Sequence, residues 1–151
     1  MGIKRGITMI SLGIMIVVMI AIASTVVLTM NNILKETKKD RFVNELNLVK
    51  ASVETYITRT SGNTGFNIIT WDLVDIYPDV QSQFEGESIT NNILYVYEIN
   101  LDDIDVKETV YGNKVDGEND RYLLSATGKV YYQKGYVYNG TTYYTLMDEI
   151  K

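Results

Sequence analysis

Two carboxylate clusters are the groups in this chain whose types and spacing could do chemistry. Asp102, Asp103 and Asp105 stand almost side by side. Asp116, Glu118 and Asp120 place oxygen ligands at alternate positions, the spacing with which calcium-binding loops begin. The second cluster departs from an EF-hand, because Arg121 follows where a glycine is required and no glutamate closes the loop. A solvated acidic loop is the competing reading, and calcium is the single cofactor the residues suggest. Ser125, Thr127 and Lys129 also lie close together, but no general base or nucleophile elbow accompanies them. The chain has no cysteine and no histidine. That removes zinc sites of the usual kind and schemes that need imidazole or thiolate. No catalytic residues are expected, and the protein does not read as an enzyme.

The elements that must carry these groups are α and β in sequence. Residues 7–60 read as one helix, roughly 80 Å long at 1.5 Å per residue. Ile7 to Met30 is uncharged throughout, and about 20 apolar residues suffice to cross a bilayer. Phe42, Leu46, Val49, Val53 and Tyr56 follow at 4-3-4-3 spacing, a narrow apolar stripe suited to packing on a sheet. The polar stretch "KETKKDR" separates the two. "SGNTG", Ser61 to Gly65, ends the helix. "TWDLVDIYPDV" reads as a short helix with Thr70 as N-cap and Pro78 at its end.

Residues 61–151 then turn to strand. "NILYVYEI" is one strand-length run. "RYLLSATGKVYYQKGYVYNGTTYYTL" supplies two hairpins, turned at Thr127-Gly128 and Asn139-Gly140. Ten of the twelve tyrosines lie between Tyr95 and Tyr144, as a pleated, half-buried sheet favours. An adhesive or carbohydrate-binding tyrosine face is the functional alternative to cross-strand packing. The expected fold is α+β: a long helix, membrane-spanning in its first half, packed on an antiparallel β-meander.

Charge divides the same way. Lys4 and Arg5 precede the apolar run. From Asn31 to Thr60 six basic residues meet four acidic ones, whereas from Ser61 onward six basic residues meet fifteen acidic ones. Such an acidic head repels nucleic acid and anionic lipid, so no nucleic-acid partner is expected.

"KRG" followed by "ITMISLGIMIVVMIAI" resembles the class III signal of prepilins, the subunits of type IV pili and the pseudopilins of type II secretion. The tail "YLLSATGKVYYQKGYVYNGTTYYTLMDEI" is similar to the terminal hairpins of clostridial-type pilin-like proteins. The resemblance implies a leader of residues 1–6, cut between Gly6 and Ile7 by a prepilin peptidase that then methylates the new amino terminus. It implies partners in the membrane: other pilin-like subunits packed through the helix, an assembly platform and its ATPase. The head would be extracellular and the filament would stand at the cell surface. One position departs from the family. The fifth mature residue is usually a glutamate that neutralises a neighbouring amino terminus, and here it is Ser11, which cannot carry the charge.

Two other readings fit parts of the same segment. An ordinary secretory signal would be cleaved after Ala23, since Ala21-Ile22-Ala23 matches the A-x-A pattern. An uncleaved anchor would hold a monomeric extracellular binding domain. The Lys and Arg count near the span, two before and four after (Lys35, Lys38, Lys39, Arg41), would by itself place the head inside. The outward orientation comes from the resemblance.

Overall fold

The computed structural model describes the backbone of residues 3–151; the side chains of residues 1–13, 24, 25 and 28 lie outside the described residues. Helix α1 runs Ile3–Arg59. The strands are β1 (Asn67–Asp72), β2 (Ile93–Glu98), β3 (Tyr122–Ser125), β4 (Val130–Tyr132), β5 (Tyr136–Tyr138) and β6 (Thr141–Tyr143), with a one-turn helix α2 (Tyr77–Val80) and a 3₁₀ turn at Gln81–Phe84 after β1. The chain divides into two units, Met1–Lys38 and Lys39–Lys151. The architecture is α+β, with a long helix and an antiparallel sheet.

In the second unit the sheet runs in the order β1-β2-β3-β4, antiparallel throughout, and β5-β6 form a separate two-stranded ribbon. Alternation along each strand divides the side chains between two cores. Tyr122, Leu124, Val130 and Tyr132 face the α1 stripe of Phe42, Leu46, Val49 and Val53. Leu94, Val96, Leu123 and Tyr131 face the opposite way and pack with Trp71, Leu73, Val80, Phe84 and Tyr144. β3 and β4 are therefore covered on both faces, which is why they read as apolar runs without polar alternation.

The stripe predicted from 3.6-residue periodicity is the helix's contribution to the core: its first four members are at most 1% exposed, and Tyr56 is half-buried beside them. Phe42 stacks on Tyr136 with ring centroids 4.7 Å apart. In the second core Trp71 sits edge-on to Phe84, Tyr131 and Tyr144 at 5.4–5.7 Å. Offset and edge-on contacts of this kind add about 0.5–1.5 kcal/mol each beyond burial.

Helix α1 ends as expected, but the left-handed residue is Ser61 (φ 55°), followed by Gly62. The Gly62 N–H donates to the Ile57 carbonyl at 2.9 Å, the long bond of a Schellman end. Asn139 and Gly140 both take positive φ and join β5 to β6, as a type I′ hairpin requires. At the other hairpin Gly128 donates to the Ser125 carbonyl at 3.0 Å, so Ala126 and Thr127 are the central residues and Gly128 is the left-handed residue after them. The expected helix at Thr70 is wrong. Thr70 and Trp71 belong to β1, and Pro78 sits in the first turn of α2 rather than ending a helix. A proline's missing N–H costs nothing in a first turn, so the same residue suits a start as well as a stop.

Candidate functional site

Lys4, Arg5, Gly6, Ile7 and Ser11, the processing and assembly positions, fall within the Ile3–Arg59 span of α1, and their side chains lie outside the described residues. Beyond them the described large apolar side chains from Ile14 to Met30 are all exposed, between 48% and 67%. They circle the helix rather than line one face of it. A helix apolar all round is ordinarily buried, in a large protein core or in a membrane. Among the described residues no helix is long and apolar enough to cross a membrane; the uncharged run from Ile7 to Met30 includes positions 7–13, 24, 25 and 28, which that description leaves out.

The acidic loop does not gather into a cation site: among the described residues no group of three ligating side chains converges. Asp120 is turned inward, only 1% exposed. Its Oδ1 accepts the Gly112 N–H and the Tyr132 hydroxyl, each at 2.8 Å, and its Oδ2 accepts the Asp116 N–H at 3.2 Å. Asp120 is thus engaged by three donors from within the protein. Asp116 pairs with Lys134 at 3.2 Å, and Glu118 stays exposed. The Tyr132 hydroxyl is pushed well above its ordinary pKa, first by burial and then by its bond to Asp120. It stays protonated and donating. Asp120 thus ties the 112–116 loop to β4. In the other cluster Asp105 has positive φ and reaches Arg59 at 3.8 Å, which closes a turn against the end of α1.

The hydroxyl group of residues near the β3–β4 turn is held by a carboxylate that sequence spacing did not suggest. Glu87 Oε1 accepts Ser125 Oγ (2.8 Å), Thr127 Oγ1 (2.6 Å) and the Tyr131 hydroxyl (3.0 Å). Lys129 Nζ donates to the Glu85 carbonyl at 2.7 Å. The cluster fastens the 85–87 loop over the turn. The tyrosines divide: Tyr122, Tyr131 and Tyr132 are core residues, whereas Tyr95 is 60% exposed.

Two further carboxylates organise the head. Glu45 on α1 accepts the N–H groups of Val110 and Tyr111 at 3.0 Å, so one helical side chain caps a distant loop. Its sequence signal was a charge three residues after Phe42 and four before Val49, inside the apolar stripe. Glu98 on β2 holds Lys114 at 2.5 Å and Arg121 at 3.1 Å. The Lys114 hydrogen bond, with Arg121 beside it, keeps the Glu98 carboxyl below its usual pKa despite partial burial. No family model matches this chain, and no curated protein or solved structure matches it significantly.

Proposed function

We propose that this protein is a pilin-like structural subunit of a type IV filament or a type II-like secretion system. The observation that carries the reading is one of sequence and continuity together. A short basic leader ending in Gly6 precedes twenty-four uncharged residues, and these lie in the same helix, α1, that supplies the Phe42–Val53 stripe to the head. A plain anchor has no need for its membrane segment to continue into the core of the domain it holds.

In this reading the mechanism is mechanical. A prepilin peptidase removes residues 1–6 and leaves Ile7 as the mature terminus, with Lys4 and Arg5 holding the leader on the cytoplasmic side. The apolar helix waits in the bilayer until an assembly platform and its ATPase draw it out to pack against the helices of other subunits. Head-to-tail contacts of this kind do not close, and so they build helical fibres. Ser11 favours a place in the filament, such as the tip, where no neighbouring amino terminus needs a carboxylate.

The intact mass of the mature protein tests the proposal. A chain beginning at Ile7 is expected; one beginning at Ser24 indicates ordinary secretion, and one beginning at Met1 or Gly2 indicates an uncleaved anchor. Gly6→Leu should leave the full-length precursor in the membrane, because a bulky side chain obstructs close approach of the backbone to the peptidase. Normal trimming of that variant would refute the proposal.

A further inference from the structure

The four-stranded sheet has one covered edge and one open edge. Beyond β4 the Tyr132 N–H donates to the Tyr144 carbonyl at 2.7 Å, and Thr145 Oγ1 donates to the Val130 carbonyl at 2.8 Å. β1 lies at the other end of the sheet. The ladder shows which of its groups face outward. Leu73 N–H donates to the Asn92 carbonyl at 2.8 Å, one step beyond the Asp72↔Ile93 pair of the β1–β2 register. Antiparallel bonding alternates, so residues 67, 69 and 71 turn their N–H and C=O toward β2, and Ile68, Thr70 and Asp72 turn theirs away. Among the described residues no hydrogen bond takes up those outward backbone groups.

Edge strands of natural sheets are ordinarily blunted by lysine, proline, a bulge or a covering segment. β1, "NIITWD", has no lysine, proline or glycine, carries a single charge at its last residue, and pairs without a bulge. On the face turned away from the Trp71 core, Ile68 is 64% exposed, and Tyr95, directly opposite Thr70 on β2, is 60% exposed.

We propose that β1 pairs antiparallel with β1 of a second copy of this chain, about a two-fold axis at Thr70, so that two four-stranded sheets become one. The strand is its own complement in that register. Setting Thr70 against Thr70 of the other copy sets Ile68 against Asp72 at both ends, and all three outward residues are used. A shift of the axis by one residue uses only two of them. Thr opposite Thr is a favourable cross-strand pair, and no like charges stand opposite each other. The exposed Ile68 and Tyr95 side chains of the two copies extend one face across the junction. The heads are acidic, so screening of their repulsion makes this contact stronger with added salt over the moderate range. The contact is isologous and closes on itself. It is therefore separate from the head-to-tail helix packing proposed above and does not rest on it.

The chain has no cysteine, so an introduced one reports alone. Full-length Thr70→Cys, expressed in its native membrane and mildly oxidised, should form a disulfide-linked dimer at least about tenfold more than Val115→Cys, whose side chain is exposed on a separate loop. Ile68→Asp placed in the Thr70→Cys chain puts carboxylates opposite Asp72 at both ends and should lower the dimer about tenfold. Ile68→Lys at the same exposed site should preserve it. A Thr70→Cys yield no greater than that of Val115→Cys would overturn the proposal, as would equal losses with Asp and Lys at position 68. Either result can occur with trimming at Gly6 intact, so the two proposals fail separately.

Discussion

Two sections of α1 are built from the same kinds of side chain and end in opposite surroundings. Phe42, Leu46, Val49 and Val53 are at most 1% exposed, whereas Ile14 to Val18 are 48–67% exposed. Hydrophobicity does not separate them. Arrangement does: the first set recurs at 4-3-4 spacing with polar residues between, so one stripe meets one sheet face. The second set is continuous around the helix, and no single sheet face could cover it. Apolar content is a demand for partners, and periodicity tells how many directions those partners must come from.

Leu46→Ala should break the buried half of that comparison with the largest effect. It removes side-chain atoms from a packed core and leaves a cavity, at a cost of about 3 kcal/mol; urea unfolding of the head should move to lower midpoint. Ile16→Ala, by contrast, should leave head unfolding unchanged, because its side chain is exposed and leaves no cavity when shortened. Equal losses from the two would mean that exposure is a poor guide to which section the head needs.

Glu45→Ala should have an intermediate effect. It leaves the Val110 and Tyr111 N–H groups without their carboxylate, at about 1–2 kcal/mol. Amide exchange should quicken at those two positions ahead of the sheet. Unchanged exchange there would show that the loop is held by Tyr111 packing on Phe42 rather than by the helix's charge.

The smallest effect is expected from acid. Glu98 has its carboxyl pKa lowered in the folded state, first by Lys114. Its contribution is therefore present above the ordinary carboxylate value of 4.5 and fades as pH falls through the lower folded value. Glu98→Gln should flatten that part of the head's stability profile below about pH 5. The section from Ile14 to Met30 contains no titratable side chain, so its helical circular dichroism should not follow the same titration.

Much of this was legible because it is local. The stripe Phe42–Val53, the helix end after Arg59 and the Asn139-Gly140 hairpin each follow from a few neighbouring residues and a repeat of 3.6 or 2. The clusters were visible as composition but not as geometry. Asp116, Glu118 and Asp120 look alike in sequence, yet one is buried against Tyr132, one pairs with Lys134 and one remains in solvent. Thr70 and Pro78 satisfy the rules for a helix start and stop, so the sequence reads a helix from Thr70 onward, whereas the β2 partners that make Thr70–Asp72 strand lie about twenty-five residues away.

That a continuously apolar helix is followed by a striped one and then by an acidic, tyrosine-rich β region is a property of order along the chain. Tertiary contacts alone set Glu45 against a loop sixty-five residues distant, direct the Asp120 oxygens to backbone and tyrosine donors, and leave β1 at an end of the sheet. Each of these depends on which strand lies beside which. That choice is made by the sum of all contacts in the two cores, and no short window of residues contains it.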